Sequence, residues 1–129
     1  MKIHHLAVVV KEISDSAKYY SEFFGYRIVS DEVVDAKQKS RLLFIRLGEN
    51  LLELIGPTGE DSPVYEFLQK GGGLHHLCYL VDDLEREIQR FRNLGALIVC
   101  PPTPAIAFDE RRIAFIYTRQ RELVELLEQ

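Results

Sequence analysis

The sequence predicts an α+β fold built from two tandem copies of one β-α-β-β-β module. All four histidines stand in two copies of one short string, IHHLAV at residues 3–8 and LHHLCY at residues 74–79. The string RLLFI matches RIAFI at the same offset of 71 residues, and LLELI matches LVELL at an offset of 72. An internal repeat of this kind indicates that one supersecondary unit occurs twice in the chain.

Module one, residues 1–55, begins with an apolar run after His5 that is typical of a buried strand. The stretch SDSAKYYSEFFG follows, and we expect a helix capped by Ser14 and ended by Gly25. The apolar strings RLLFI and LLELI supply the last two strands. The order of elements in this module is therefore predicted as β-α-β-β-β.

A connector, residues 56–73, separates the modules and contains a short helix of its own. Ser62 is its expected N-cap, and a run of three glycines ends it. Module two, residues 74–129, repeats the pattern of module one, with a helix that begins after Asp83 and ends at Gly95. At 129 residues we expect both modules to form a single domain.

Composition restricts the partners of the chain. Sixteen basic and 20 acidic residues give a net charge of −4. The sequence has no block of basic residues that could bind the phosphate backbone of a nucleic acid, so we expect no nucleic-acid partner. No apolar run approaches the roughly 20 residues of a membrane span, and no targeting segment is recognised, which predicts a cytoplasmic protein. Cys78 and Cys100 fit reduced thiols in that compartment.

Two histidines and two glutamates occupy equivalent positions in the repeat, namely His5, Glu53, His76 and Glu125. Taken alone, each histidine fits a hydrogen-bonded core residue, and each glutamate fits a solvated strand face. A carboxylate in the middle of an apolar strand is costly, however, unless it is paired, protonated or bound to a metal. If the modules pack about a pseudo-twofold axis, the four side chains converge. Two imidazoles and two carboxylates suit one divalent ion of nickel, zinc, cobalt or manganese.

The strings HHLAVVV, LLELIGP, EDSPVYEFLQKGGGLHHLCYLVDDL and RRIAFIYTRQRELVELLE resemble the vicinal oxygen chelate superfamily. This superfamily includes glyoxalase I, methylmalonyl-CoA epimerase, extradiol dioxygenases and bleomycin-resistance proteins. The resemblance covers nearly the whole chain. It implies a curved, barrel-like sheet around one divalent metal ion, with His5, Glu53, His76 and Glu125 as the ligands, and a homodimer.

The leading functional prediction from this resemblance is a glyoxalase I-type enzyme, similar to lactoylglutathione lyase. Its substrate would be a small carbonyl compound linked to a thiol, and the reaction would begin with removal of a proton next to the carbonyl. Glu125 is the first candidate for the base, and Glu53 is placed to serve the opposite face of the enediolate. The alternative is methylmalonyl-CoA epimerase. A further alternative is a ligand-binding protein of the drug-resistance type. A dioxygenase is disfavoured because a fourth acidic ligand takes up space that catechol and oxygen need.

Arginines at the start of two strands are candidates for binding the substrate. Arg111 and Arg112 precede IAFIY, and Arg41 occupies the position in module one that is equivalent to Arg112. A guanidinium at any of these positions can hold a carboxylate or a phosphate. Each residue fits a solvated strand end equally well.

Overall fold

The computed structural model describes all of residues 1–129, and the contacts within it divide the chain into two compact units. The N-unit comprises His5–His75, and the C-unit comprises His76–Gln129 together with Met1–His4. Both units combine a sheet with helices, which confirms the predicted α+β class.

The N-unit contains a sheet in the strand order β2-β4-β5-β1, with β3 also paired to β4. Strand β1 runs parallel to β5, and the other pairs are antiparallel. Its elements are β1 Lys2–Val9, which joins this unit from His5 onward, α1 Ile13–Phe24, β2 Arg27–Ile28, β3 Val33–Asp35, β4 Ser40–Leu47, β5 Asn50–Pro57 and α2 Tyr65–Gln69.

The C-unit contains a sheet in the strand order β6-β9-β8-β7, with β6 parallel to β9 and the other pairs antiparallel. Its elements are β6 Gly73–Val81, which joins this unit from His76 onward, α3 Leu84–Asn93, β7 Leu97–Pro104, a 3₁₀ turn Ile106–Phe108, β8 Arg112–Tyr117 and β9 Leu123–Glu128. Here the predicted order β-α-β-β-β is confirmed.

The N-unit departs from that order because two short strands, β2 and β3, stand where one was expected. Between them, the hydroxyl of Ser30 accepts a hydrogen bond from the backbone N–H of Phe44 at 2.8 Å and donates one to the carbonyl oxygen of Asp31 at 3.0 Å. A side chain thus replaces a backbone group in the ladder. Local side-chain hydrogen bonds of this kind compete with regular strand pairing.

Each sheet has one side that packs against a helix, and we call this the helix-facing side. In the N-unit it carries the core cluster around α1, formed by Val8, Ile13, Ala17, Leu43, Ile45, Leu52 and Leu54. In the C-unit it carries the cluster around α3, formed by Val81, Leu84, Ile88, Ala96, Ala114, Ile116, Val124 and Leu126. Because side chains alternate along a strand, the intervening residues point to the opposite side of each sheet.

The helix ends were predicted with mixed success. Asp83 caps α3, since its carboxylate accepts a hydrogen bond from the N–H of Arg86 at 2.9 Å. Gly25 ends α1 in the left-handed conformation, with φ of 85°. The predicted cap at Ser14 is wrong: the first helical hydrogen bond runs from Ser16 to Glu12, so Glu12 is the N-cap.

The predicted start of the connector helix is also wrong. A turn closed by the Tyr65 N–H and the Ser62 carbonyl at 3.1 Å precedes α2, and Val64 is the N-cap.

None of the helices combines the length and apolar composition that a membrane crossing requires.

Arg112 ties the start of β8 to α3 and β9. Its guanidinium donates to Glu85 at 2.6 Å and 3.2 Å, and to Glu128 at 2.6 Å and 2.9 Å. These hydrogen bonds lower the pKa of both carboxyl groups below the ordinary value of 4.5 and raise the pKa of Arg112. Because one guanidinium holds two carboxylates through several hydrogen bonds, we expect this group to contribute more to stability than an isolated surface ion pair.

The close approach of Gly72, in the connector, to strand β1 can be tested by substitution. The φ of this glycine is +68°, and a Cβ added there would lie 2.7 Å from the carbonyl oxygen of Val9, whereas Gly48 has a similar φ of +59° and open space around it. We expect Gly48→Ala to cost about 1 kcal/mol of unfolding free energy from backbone strain alone, and Gly72→Ala to cost more than about 2 kcal/mol. Urea denaturation measures both values, and equal losses would contradict the close approach.

The ion pairs of Arg112 predict a pH dependence. Because the folded-state pKa values of Glu85 and Glu128 are lowered, their contribution to stability is present above pH ~4.5 and is lost as the pH falls through the folded-state values. We therefore expect Arg112→Gln to be less stable than the parent at pH 7, with the difference shrinking below pH ~4.5. Lys18→Gln, which removes one exposed ion pair to Glu22, is the control. A difference that did not change with pH would sink the prediction.

Candidate active site

Each unit holds one buried histidine beside one buried glutamate. In the N-unit, Nε2 of His5 lies 3.8 Å from Oε2 of Glu53. In the C-unit, Nε2 of His76 lies 3.2 Å from Oε2 of Glu125. All four side chains are at most 5% exposed. The structure therefore brings together His5 with Glu53 and His76 with Glu125, and these are the four residues that the repeat singles out.

The strands of the N-unit explain the position of the first pair. Glu53 in β5 lies between Ala7 of the parallel strand β1 and Phe44 of the antiparallel strand β4. Directly opposed residues share one side of a sheet, and His5, two residues before Ala7, points the same way. The ring of His5 meets the ring of Phe44 edge to face, with 5.4 Å between centroids. The side of the sheet that carries this pair is called the site side below.

The C-unit builds its pair in the same way. Glu125 in β9 lies between Cys78 of β6 and Phe115 of β8. The ring of His76 meets that of Phe115 edge to face at 5.1 Å. Cys78 has no exposed surface and takes the place of Ala7, so a small residue faces the glutamate in both units. The two His–Glu pairs are thus equivalent down to the aromatic ring that each histidine contacts.

The two aromatic rings are the part of the site that sequence reasoning missed. Phe44 and Phe115 stand at the same place in RLLFI and RIAFI, so the repeat contained the signal. Each phenylalanine ring contacts its histidine ring nearly perpendicularly, with an interplanar angle of 78° in the N-unit and 90° in the C-unit. Such contacts restrict the imidazole orientation and hold its Nε2 toward the carboxylate.

The remaining two histidines, His4 and His75, each contact an aromatic ring. His4 packs edge to face on Phe108 with 5.6 Å between centroids, and His75 packs on Phe67 at 4.8 Å. Both are partly exposed, in contrast to His5 and His76. Only one member of each histidine pair faces a glutamate.

The predicted substrate-binding arginines are not brought to the glutamates. Arg41 shares the helix-facing side of β4 with Leu43, and Arg112 shares that side of β8 with Ala114. Arg111 lies before β8, where its Nε donates to the carbonyl oxygen of Phe108 at 3.2 Å. The substrate-binding role of the three residues stays a prediction, and these positions give it no support.

The charge of each buried carboxylate must be compensated by a neighbouring group. A carboxylate removed from water carries a large desolvation cost unless a cation compensates its charge. In each pair the available partner is an imidazole, which can compensate the charge if it is protonated or if it binds a metal ion together with the carboxylate. Two ligand atoms about 2.1 Å from one ion lie roughly 3.0 to 3.4 Å apart at coordination angles of about 90–109°. The 3.2 Å separation between His76 and Glu125 falls in that range, and the 3.8 Å separation between His5 and Glu53 corresponds to a wider angle.

Comparison with known proteins connects this geometry to a family. Residues 4–115 match the model of the Glyoxalase/Bleomycin resistance protein/Dioxygenase superfamily. A mitochondrial methylmalonyl-CoA epimerase from Dictyostelium discoideum is 30% identical, over 98% of this chain and 78% of that protein. The crystal structure of methylmalonyl-CoA epimerase from Mycobacterium tuberculosis superimposes with a TM-score of 0.87 at 26% identity, over 98% of this chain and 87% of that one.

Similarity to a glyoxalase is weaker. A lactoylglutathione lyase from Schizosaccharomyces pombe is 26% identical over 73% of this chain and only 37% of that protein. The leading prediction of a glyoxalase I-type lyase is therefore not supported, and the epimerase alternative fits the comparisons better. The enzymatic relatives support an enzyme, as predicted. The repeated His–Glu pairs, the α+β fold and these matches show that the chain belongs to the glyoxalase, bleomycin resistance protein and dioxygenase superfamily, which is the vicinal oxygen chelate superfamily.

Proposed function

We propose that the chain is a divalent-metal-dependent epimerase of a malonyl-type CoA thioester such as methylmalonyl-CoA. The observation that carries the proposal is the presence of two equivalent buried His–Glu pairs, one in each unit. An epimerase must take a proton from one face of a carbon and return a proton to the other face, and two equivalent carboxylates suit that task. Similarity to epimerases along nearly the whole chain supports it.

One divalent ion would be held by His5, Glu53, His76 and Glu125. Nitrogen and oxygen donors in this ratio suit zinc, nickel, cobalt or manganese. The donor separations within the two pairs are compatible with shared coordination of an ion. When bound, the ion supplies Lewis acidity to the thioester carbonyl.

The two glutamates would perform the proton transfers. Glu125 accepts the proton from the carbon between the thioester carbonyl and the carboxylate, and the electron pair of the C–H bond moves toward the carbonyl oxygen. Glu53, protonated on the oxygen that does not bind the ion, would then deliver a proton to the opposite face of the same carbon. The product is the other epimer, and exchange with solvent resets both carboxyl groups. The reverse reaction exchanges the two roles.

The surroundings of the glutamates favour this chemistry. Both carboxyl groups are at most 5% exposed, so the proton transfers would take place away from bulk water. Leu123 and Leu127 flank Glu125 on the site side of β9, and Leu51 and Ile55 flank Glu53 on β5. The apolar neighbours limit the water that competes for the proton.

That the chain forms a homodimer stays a prediction.

Metal binding tests the ligand set. We expect His76→Ala and Glu125→Gln to weaken zinc or cobalt binding by at least about tenfold, because each removes or weakens one donor. His75→Ala is the matched control, since the adjacent histidine lies on Phe67 instead of a glutamate. Affinities can be measured by chelator competition, with the cobalt absorption spectrum as a second readout. Full metal content in both site variants would show that the ligand set is wrong.

Catalysis provides the test of the epimerase itself. Metal-loaded protein in D2O should exchange the C2 proton of methylmalonyl-CoA and interconvert its epimers, as followed by NMR and chiral analysis. We expect Glu53→Gln and Glu125→Gln each to slow epimerisation by about 10²-fold or more, while each retains exchange for one epimer because one carboxylate remains.

The metal content of both glutamate variants must be matched to that of the parent protein before their rates are compared. His75→Ala again serves as the control. Conversion of the methylglyoxal–glutathione hemithioacetal, with methylmalonyl-CoA left unchanged, would contradict the epimerase and restore the glyoxalase I interpretation.

A further inference from the structure

We infer that Arg27 and Arg46 form a binding site for a phosphate group of the thiol carrier, at the edge of the N-unit sheet. This inference rests on the proposed function, because it takes the substrate to be a CoA thioester. It adds to that proposal the residues that recognise the carrier, as distinct from the acyl group on which the chemistry occurs.

Strand register places the two arginines together on the site side. Arg46 follows Phe44 by two residues in β4, so both side chains point to the side that carries Glu53. Arg27 of β2 lies directly opposite Arg46. Directly opposed residues of an antiparallel pair point the same way, with Cβ atoms about 4.5–5.5 Å apart. The two cationic side chains therefore leave the sheet side by side.

The charges of this pair are not compensated within the chain. Neither guanidinium forms an ion pair or a side-chain hydrogen bond in the structure, which describes every residue. Arg90 pairs with Glu87 at 2.7 Å and Arg112 pairs with two carboxylates, whereas Arg92 also lacks an ion pair. What distinguishes Arg27 and Arg46 is that they lie directly opposite each other.

Like charges directly opposite each other destabilise a sheet. In a chain with 20 acidic residues, two adjacent arginines without a carboxylate are therefore an unfavourable arrangement that an anion would relieve. Guanidinium groups form paired hydrogen bonds with phosphate, so a phosphate can neutralise both residues at once.

Distance along the sheet favours the carrier over the acyl group. A strand rises about 3.3 Å per residue, so Arg46 starts about 7 Å along β4 from the residue opposite Glu53, and Arg27 lies one strand spacing of about 5 Å further out. The acyl carboxylate lies next to the reacting carbon, whereas the phosphates of CoA lie at the far end of a long chain. An anion site displaced toward the edge of the sheet therefore suits a phosphate of the carrier better than the acyl carboxylate.

The corresponding position of the C-unit supports a single carrier. Tyr117 follows Phe115 by two residues in β8, as Arg46 follows Phe44, and it bears no cationic group. The repeat is thus equivalent at the His–Glu pairs and different at this position. One asymmetric substrate needs its carrier recognised at one end only, and the N-unit holds the cations for it.

The test compares two thioesters of methylmalonate, one with CoA and one with N-acetylcysteamine, which has no phosphate. We expect Arg27→Gln and Arg46→Gln each to raise KM for the CoA ester by about tenfold or more, and the double variant to raise it further, with kcat unchanged. The KM for the N-acetylcysteamine ester should not change. Arg92→Gln, an exposed arginine of α3, is the matched control.

Two outcomes would overturn the inference. Equal losses for both thioesters would mean that the arginines act on the acyl end, and unchanged KM for the CoA ester would mean that they bind no part of the substrate. If the parent protein turns over neither ester, the proposed function fails, and calorimetric titration with coenzyme A and with pantetheine then tests the arginines alone. Weaker binding of coenzyme A only, in the double variant, supports the site; equal binding by parent and variant refutes it.

Discussion

Burial of a carboxylate beside an imidazole in the middle of each sheet is the constraint on which the rest of the structure depends. An uncompensated buried charge costs several kcal/mol, so each glutamate needs its histidine at a defined separation. Strand register meets this need in both units by placing the glutamate between a small residue and a phenylalanine. The small residue, Ala7 or Cys78, leaves space for the histidine two positions earlier on the same strand.

The two sides of each sheet have separate tasks. The helix-facing side buries aliphatic side chains against α1 or α3 and supplies the apolar burial that holds the strands in register. The site side can then carry ionisable groups that would be unfavourable in such a core. Arg112 and Arg46 illustrate the difference: the first is bound by two carboxylates on the helix-facing side, and the second stands next to another arginine on the site side. Only the latter arrangement calls for an external anion.

The four proposed metal ligands do not distinguish a glyoxalase from an epimerase. Both reactions begin with loss of a proton next to a carbonyl, so the same two imidazoles and two carboxylates serve either one. The pattern of His5, Glu53, His76 and Glu125 therefore carries information on the superfamily and little on the substrate. Similarity along nearly the whole chain favours the epimerase, since the match to the lactoylglutathione lyase is weaker and covers less of both proteins.

The sequence by itself determined the α+β class, the repeated module and the two His–Glu pairs, because a repeat with strand alternation marks equivalent side chains without any knowledge of packing. It did not determine the start of α1, where the hydrogen bond from Ser16 to Glu12 displaces the cap from Ser14. Nor did it show which side of β4 and β8 the arginines occupy. Alternation divides a strand into two faces, but only pairing with a neighbour, such as Phe44 opposite Glu53, shows which face is the site side. Tertiary structure thus assigned Arg41 and Arg112 to the helix-facing side and brought Arg27 beside Arg46, since strand register depends on contacts between segments distant in the chain.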